Sequence, residues 1–287
     1  MAKFLITGAN GQLGNEMRCI ANNDKTNSFI FTDIQELDIT NLNSVCNFAE
    51  VHRPDFIINC AAYTAVDKAE DDSELCAKIN CDAVENIAKA AKIIGAKVIH
   101  VSTDYVYGGD AVKPYLESDE TNPKSVYGAT KLNGEKRVIE ILPNDSVIIR
   151  TSWLYSTFGK NFVKTMIMLG KERDSLNVVS DQRGTPTYAR DLAKAIMSVT
   201  KAKEFVAGIY NYSNEGECSW YDFTCEIHRL AGVECNVNAI TTQEYPTKAK
   251  RPAYSVMDKS KIKNTFGINI PDWKESLKDC IKLLNID

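Results

Sequence analysis

Tyr127 and Lys131 stand four residues apart in the segment YGATK (127–131). On a helix that spacing puts both side chains on one face, where a phenol and an ammonium can meet. A free tyrosine titrates at about 10, and a fixed cation beside it stabilises the phenolate, which eases proton exchange at neutral pH. Thr103, in VSTDY (101–105), offers a hydroxyl that could orient a carbonyl oxygen beside that tyrosine. The same spacing also arises by chance as a surface pair, so the elements around it matter.

A glycine-rich turn stands upstream. Gly8, Asn10, Gly11, Gln12, Leu13 and Gly14 follow an apolar run and open a helical pattern. Glycines there let backbone N–H groups approach a pyrophosphate, whose charge a helix N-terminus favours. An ordinary tight turn is the competing reading. Asp33 ends the next apolar run, where a carboxylate accepts from a ribose 2′-hydroxyl and repels a 2′-phosphate; this favours NADH over NADPH unless Asp33 only caps a turn. Asp38, Ile39, Ala61, Ala62 and Tyr63 follow the second and third runs and are candidates for the same dinucleotide.

Those runs, 3–7, 29–32, 56–60, 98–102 and 147–150, are nearly continuous in apolar residues, as suits strands covered on both faces. Helical patterns fall between them at 14–21, 42–52, 73–94 and 127–141. Strand–helix alternation repeated four times predicts an α/β doubly wound parallel sheet, a Rossmann domain over residues 1–150. Beyond it the regularity fades, with a helix over 191–200, a strand over 208–212 and helices over 220–231 and 273–284. Residues 151–287 read as a smaller C-terminal, mainly substrate-binding lobe that could return strands to the sheet.

The net charge of −4 argues against nucleic acid or an anionic membrane as the main partner. Nine cysteines, an odd number without a CxxC pair, and no signal-like start point to a reduced, cytoplasmic chain. His52, His100 and His228 are isolated, His100 lying in a predicted strand as a structural residue. Cys60, Cys76 and Cys81 read as small buried apolar groups, and Glu70, Asp71 and Asp72 as a solvated helix start. Neither a GxSxG elbow nor a P-loop is present.

In order and spacing, Gly8, Gly11 and Gly14 with Thr103, Tyr127 and Lys131 resemble the extended short-chain dehydrogenase/reductase family. GANGQLG (8–14), NCAAYTAVDKAE (59–70), STDYVYGG (102–109), RTSWLY (150–155), NFV (161–163), DQRGTPTY (181–188) and KRPAYSVMD (250–258) extend the likeness nearly to the last helix. They resemble the branch that reduces C4 of a 6-deoxy-4-keto sugar carried on dTDP. The resemblance implies that hydride comes from NADH or NADPH and that Tyr127 donates the proton. Lys131 would hold the nicotinamide ribose and Thr103 the sugar oxygen. It also implies sugar contacts from Asp104, Tyr105 and Trp153, and nucleotide contacts from Asn161, Gln182 and Arg251. A core role for Trp153 and loop-stabilising roles for the last three stay open.

Some members of the family are dimers sharing a magnesium ion held by glutamates. Here Glu16 could match one such ligand, but Arg190 stands where another acid is needed, so no metal is expected. A monomer or homodimer remains open. Two other readings use the same fold: a nucleotide-sugar epimerase or dehydratase, and a non-catalytic dinucleotide-binding subunit.

Overall fold

The computed structural model describes residues 1–284. Its first half alternates β1 (Lys3–Thr7), α1 (Gln12–Asn23), β2 (Ser28–Thr32), α2 (Leu42–His52), β3 (Phe56–Asn59), the short α3 (Val66–Ala69) and α4 (Ser73–Ala77), α5 (Ala83–Ile94), β4 (Lys97–Thr103), α6 (Val126–Ile141) and β5 (Ser146–Thr151). Then come β6 (Leu154–Tyr155), α7 (Phe162–Glu172), β7 (Ser175–Val179), β8 (Arg183–Gly184), β9 (Thr187–Tyr188), α8 (Ala189–Thr200), β10 (Gly208–Asn211), β11 (Cys218–Ser219), α9 (Trp220–Ala231), β12 (Asn236–Ile240), α10 (Ser260–Phe266) and α11 (Trp273–Leu283).

Six parallel strands form the central sheet in the order β10-β5-β4-β3-β1-β2. The chain steps from β1 outward to β2 and then returns to β3 on the other side. That reversal opens a crevice beyond the carboxyl ends of β1 and β3, the place where such sheets bind ligands. Both faces are covered, which is why the strands lack alternation. Phe4, Ile6, Leu13 and Met17 join α8 in one core cluster, and Leu5 and Ile57 join residues of α2 and α5 in the other. The second half of the chain thus supplies both a strand, β10, and a covering helix, α8, to this layer. No helix among the described residues is long and apolar enough to cross a membrane, and all nine cysteines are free.

The helix expected over 73–94 is broken by a π-helical stretch at Lys78–Asp82. The extra residue turns Asn80 inward, as such bulges do at functional sites. There Asn80 accepts from the Tyr63 amide at 2.9 Å and donates to the Tyr63 carbonyl at 3.1 Å and the Thr130 hydroxyl at 3.3 Å. Three-dimensional demand overrides a good helical pattern. The sequence pattern also leaves α7, α10 and the parallel pair of β7 with β12 unread.

A buried ion pair ties α6 to β5. Arg150 Nη2 lies 2.7 Å from Glu135 Oε2, its Nε lies 3.0 Å from Oε1, and both side chains are almost wholly covered. Ser102 also donates to Glu135, and Arg150 to the Tyr107 hydroxyl at 3.0 Å. Removing one partner strands the other charge in a low-dielectric interior. Arg150→Leu is therefore expected to cost roughly 3–5 kcal/mol in urea unfolding, much of it restored by adding Glu135→Leu; a loss under about 1 kcal/mol would show that the pair holds little.

Candidate active site

Helix α6 begins at Val126, capped by Ser125, whose hydroxyl accepts from the Gly128 amide at 3.1 Å. Glu70 secures the same end by accepting from the Val126 amide at 2.9 Å. The acidic run at 70–72 does precede a helix, with Asp72 at the N-cap of α4 and Asp71 exposed, and it also ties elements together, since Asp71 pairs with Lys248 and Asp72 accepts from Tyr63 at 3.5 Å. A Cβ on Gly128 would lie 2.3 Å from the Tyr105 carbonyl oxygen, so only glycine lets the helix press on the 3-10 turn Asp104–Val106. This contact sets Tyr127 beside the end of β4.

There the Tyr127 phenol lies beside Thr103. Thr103 donates to Asp104 Oδ1 at 3.0 Å and accepts from the Tyr105 amide at 3.2 Å. Tyr105 packs edge-on against Tyr127, with ring centroids 5.5 Å apart. Burial pushes the phenol of Tyr127 above its ordinary range, with Thr103 opposing the shift. Burial likewise pushes Asp104 up to about 6, its Oδ2 having no hydrogen-bond partner, while Thr103 at Oδ1 opposes the shift.

Lys131 departs from expectation. Its ammonium is 1% exposed and donates to the Val101 carbonyl at 2.6 Å, with His100 Nε2 at 3.4 Å, and makes no hydrogen bond to Tyr127. A buried ammonium must find an acceptor, and the nearest is the Val101 carbonyl of β4. The predicted lowering of the phenol by this cation gives way to the raising effect of burial.

In the glycine turn, Gly8 has φ 64° and a Cβ there would meet Ala61 N at 2.6 Å, so this residue serves packing. Gly11 differs, since its nearest such neighbour, the Gly8 oxygen, lies at 3.3 Å. It is also the N-cap of α1 and brings no side chain to satisfy the first helical amides. That open, uncapped helix start suits the pyrophosphate of a dinucleotide. Gln12 is turned toward the second lobe, where it accepts from Asn161 at 3.0 Å; Leu13 and Gly14 are buried. Asp33 accepts from the Asn10 amide and the Ile34 amide, each at 2.9 Å. Asp38 accepts from the Thr40 amide and hydroxyl, and Ile39 from Asn86. Ala61 and Tyr63 are held by Asn59 and Asn80, with Ala62 half-buried between them.

The second lobe contributes unevenly. Arg251 pairs with Asp67 and reaches the Tyr105 hydroxyl at 3.5 Å, which places it near Tyr127. Trp153 follows β5 with φ 47° and stacks on Trp220 at 3.5 Å between centroids. Asn161 is spent on structure: it caps α7 through the Lys164 amide and donates to Ser156 and Gln12. Gln182 is buried and donates to Thr242 at 3.1 Å. Glu16 is fully buried, accepts from Ser156 at 2.7 Å and pairs with Arg190 at 3.0 Å. Asn59, Asn80 and Asp67 were missed by the sequence reading. A polar residue within the apolar run FIIN was the one available signal, for Asn59.

A parallel sheet with a glycine turn at its crevice and a threonine, tyrosine and lysine beside it define a short-chain-type, dinucleotide-binding oxidoreductase fold. The RmlD substrate binding domain model matches residues 2–286, and the chain belongs to that family. It is 41% identical to the dTDP-4-dehydrorhamnose reductase of Aggregatibacter actinomycetemcomitans, over 97% of this chain and 98% of that one. Among solved structures, a dTDP-4-dehydrorhamnose reductase of Clostridium acetobutylicum superposes with a TM-score of 0.95 at 48% identity, covering 98% of this chain and 99% of that one. The Bacillus anthracis enzyme of the same name, solved in complex with NADP, gives 0.94 at 41%, with the same coverage.

Asp104 generates a pH dependence. Its folded pKa of about 6 exceeds its ordinary value of 3.8, so the folded protein binds the extra proton and stability falls as pH rises through that window. Asp104→Asn removes the cost. Its melting temperature should exceed wild type above the window by the equivalent of roughly 1–3 kcal/mol and converge with it below; parallel melting curves across pH would refute the shift.

Proposed function

We propose that the chain reduces the 4-keto group of dTDP-4-dehydrorhamnose, giving dTDP-L-rhamnose. The observation that carries this reading is the Tyr127–Thr103 pair at the carboxyl end of β4, set in a chain similar over nearly its whole length to enzymes of that activity. A reduced nicotinamide dinucleotide supplies the hydride when bound. The uncapped start of α1 receives its pyrophosphate, and Lys131 holds the ribose next to the nicotinamide.

Tyr127, kept protonated at neutral pH by burial, gives its proton to the sugar oxygen as negative charge develops there. Thr103 orients that oxygen by turning its hydroxyl proton from Asp104 toward it. Asp104 and Tyr105 contact the sugar hydroxyls, Trp153 offers an apolar face to the ring, and Arg251 binds the diphosphate with a two-pronged fork. The buried Glu16 pairs with Arg190, whose positive charge opposes a divalent cation there. The nine free thiols suit a reducing cytoplasm.

NADH is the favoured coenzyme in this reading. Both oxygens of Asp33 already accept main-chain bonds, yet each retains a lone pair for a ribose hydroxyl, and the carboxylate charge opposes a 2′-phosphate. Asp33→Ala should shift preference toward NADPH in fluorescence titrations with both coenzymes; an unchanged ratio removes Asp33 from coenzyme choice.

The activity is tested with purified protein, NADH or NADPH, and dTDP-4-dehydro-6-deoxy-L-mannose. Loss of reduced-nicotinamide absorbance with formation of dTDP-L-rhamnose is expected. Dinucleotide binding without turnover would instead support the non-catalytic reading. Tyr127→Phe should lower kcat by roughly 10² or more while dinucleotide affinity survives, and near-normal turnover in that variant would strip Tyr127 of its role.

A further inference from the structure

Asn59, at the end of β3, lies in a buried chain of hydrogen bonds that starts beside the glycine turn. Its Oδ1 accepts from the Ala61 amide at 3.1 Å and from the Thr7 hydroxyl at 2.7 Å. A main-chain N–H can only donate, so the Ala61 contact fixes which end of the Asn59 amide is oxygen. The Nδ2 end then faces His100 Nδ1 at 3.0 Å. Because Nδ2 donates, Nδ1 must accept and carries no proton. The imidazole is thus neutral, as its complete burial requires, and its one proton sits on Nε2. That nitrogen lies 3.4 Å from Lys131 Nζ.

An N–H aimed at Nζ disfavours the ammonium, which has no acceptor, and favours the amine, which has a lone pair to offer. The amine also keeps N–H groups for the Val101 carbonyl at 2.6 Å. We propose that Thr7, Asn59 and His100 are positioning residues for the reducing centre: by locking the imidazole proton on Nε2, they hold Lys131 where it passes readily between ammonium and amine. Cys60 from the end of β3, Cys76 from α4 and Glu135 from α6 also face the lysine, and each favours the ammonium when ionised. Of these, Glu135 is bound to Arg150, and burial pushes the Cys60 thiol up to about 12 and raises that of Cys76. Burial brings Lys131 itself down to about 8. The charge beside the Tyr127 site therefore titrates close to neutrality, under control of a side-chain amide one strand away.

The catalytic consequence rests on the proposed role of Lys131, but the location of the proton does not. The chain has three histidines, so ring-nitrogen NMR of the wild-type protein labelled with ¹⁵N-histidine reads each tautomer without substrate or coenzyme. His100 is expected as the neutral Nε2–H form, and an Nδ1–H form or an imidazolium overturns the proposal. Asn59→Ala removes the donor to Nδ1 at no change in charge, so the imidazole proton can move to Nδ1 and leave the Nε2 lone pair facing Nζ. The alkaline limb of kcat/KM against pH should then move up by about one unit, a tenfold gain in proton affinity. A purely structural role would lower rate or stability and leave the limb in place, which would also overturn the proposal. If the variant fails to fold, the wild-type spectrum decides.

Discussion

A polar stripe on α6 at four-residue spacing, docked against β4 and β5, is the constraint on which the site depends. Tyr127 meets Thr103, Lys131 meets Val101 and His100, and Glu135 meets Ser102 and Arg150. Each turn of the helix inserts one polar group where an ordinary sheet-packing helix would insert an apolar one. A rotation of α6 would strand the buried Lys131 and Glu135 and take Tyr127 away from Thr103, so its azimuth is strongly specified.

Burial of such groups carries a cost that the fold offsets locally. The Glu135–Arg150 pair is forked and further bonded by Ser102 and Tyr107, which leaves little of either charge unmet. Asp104 and Tyr127 are met less completely, and burial pushes both pKa values up. Strain of this kind gathers beside Thr103, while the apolar clusters on either side of the sheet carry the bulk of the hydrophobic stabilisation.

The two halves of the chain are interlocked by crossing contacts. α8 packs on α1, and β10 extends the sheet beyond β5. The segment 248–251 is fastened to α3 and the turn after it through Lys248–Asp71 and Arg251–Asp67, and Gln12 reaches Asn161 across the lobes. These contacts bring the arginine of the second lobe to the tyrosine pair of the first. A cut at residue 150 therefore separates parts that fold as one layer.

Local signals made much of this legible in the amino-acid order alone. Continuous apolar runs and helical spacing gave the alternation of the first half, and the glycine turn and the Tyr127–Lys131 interval could be read because both depend on residues close in sequence. Tertiary structure decided which partner each polar group takes. It directed Lys131 to a strand carbonyl, drew Asn161 into a cap, set Arg190 on Glu16, and bent the helix at Lys78–Asp82 so that Asn80 could reach Tyr63. Periodicity reports which face of an element is buried. The choice of hydrogen-bond partner is made between residues far apart in the chain, and it follows from where desolvated donors and acceptors come to rest when the layers close.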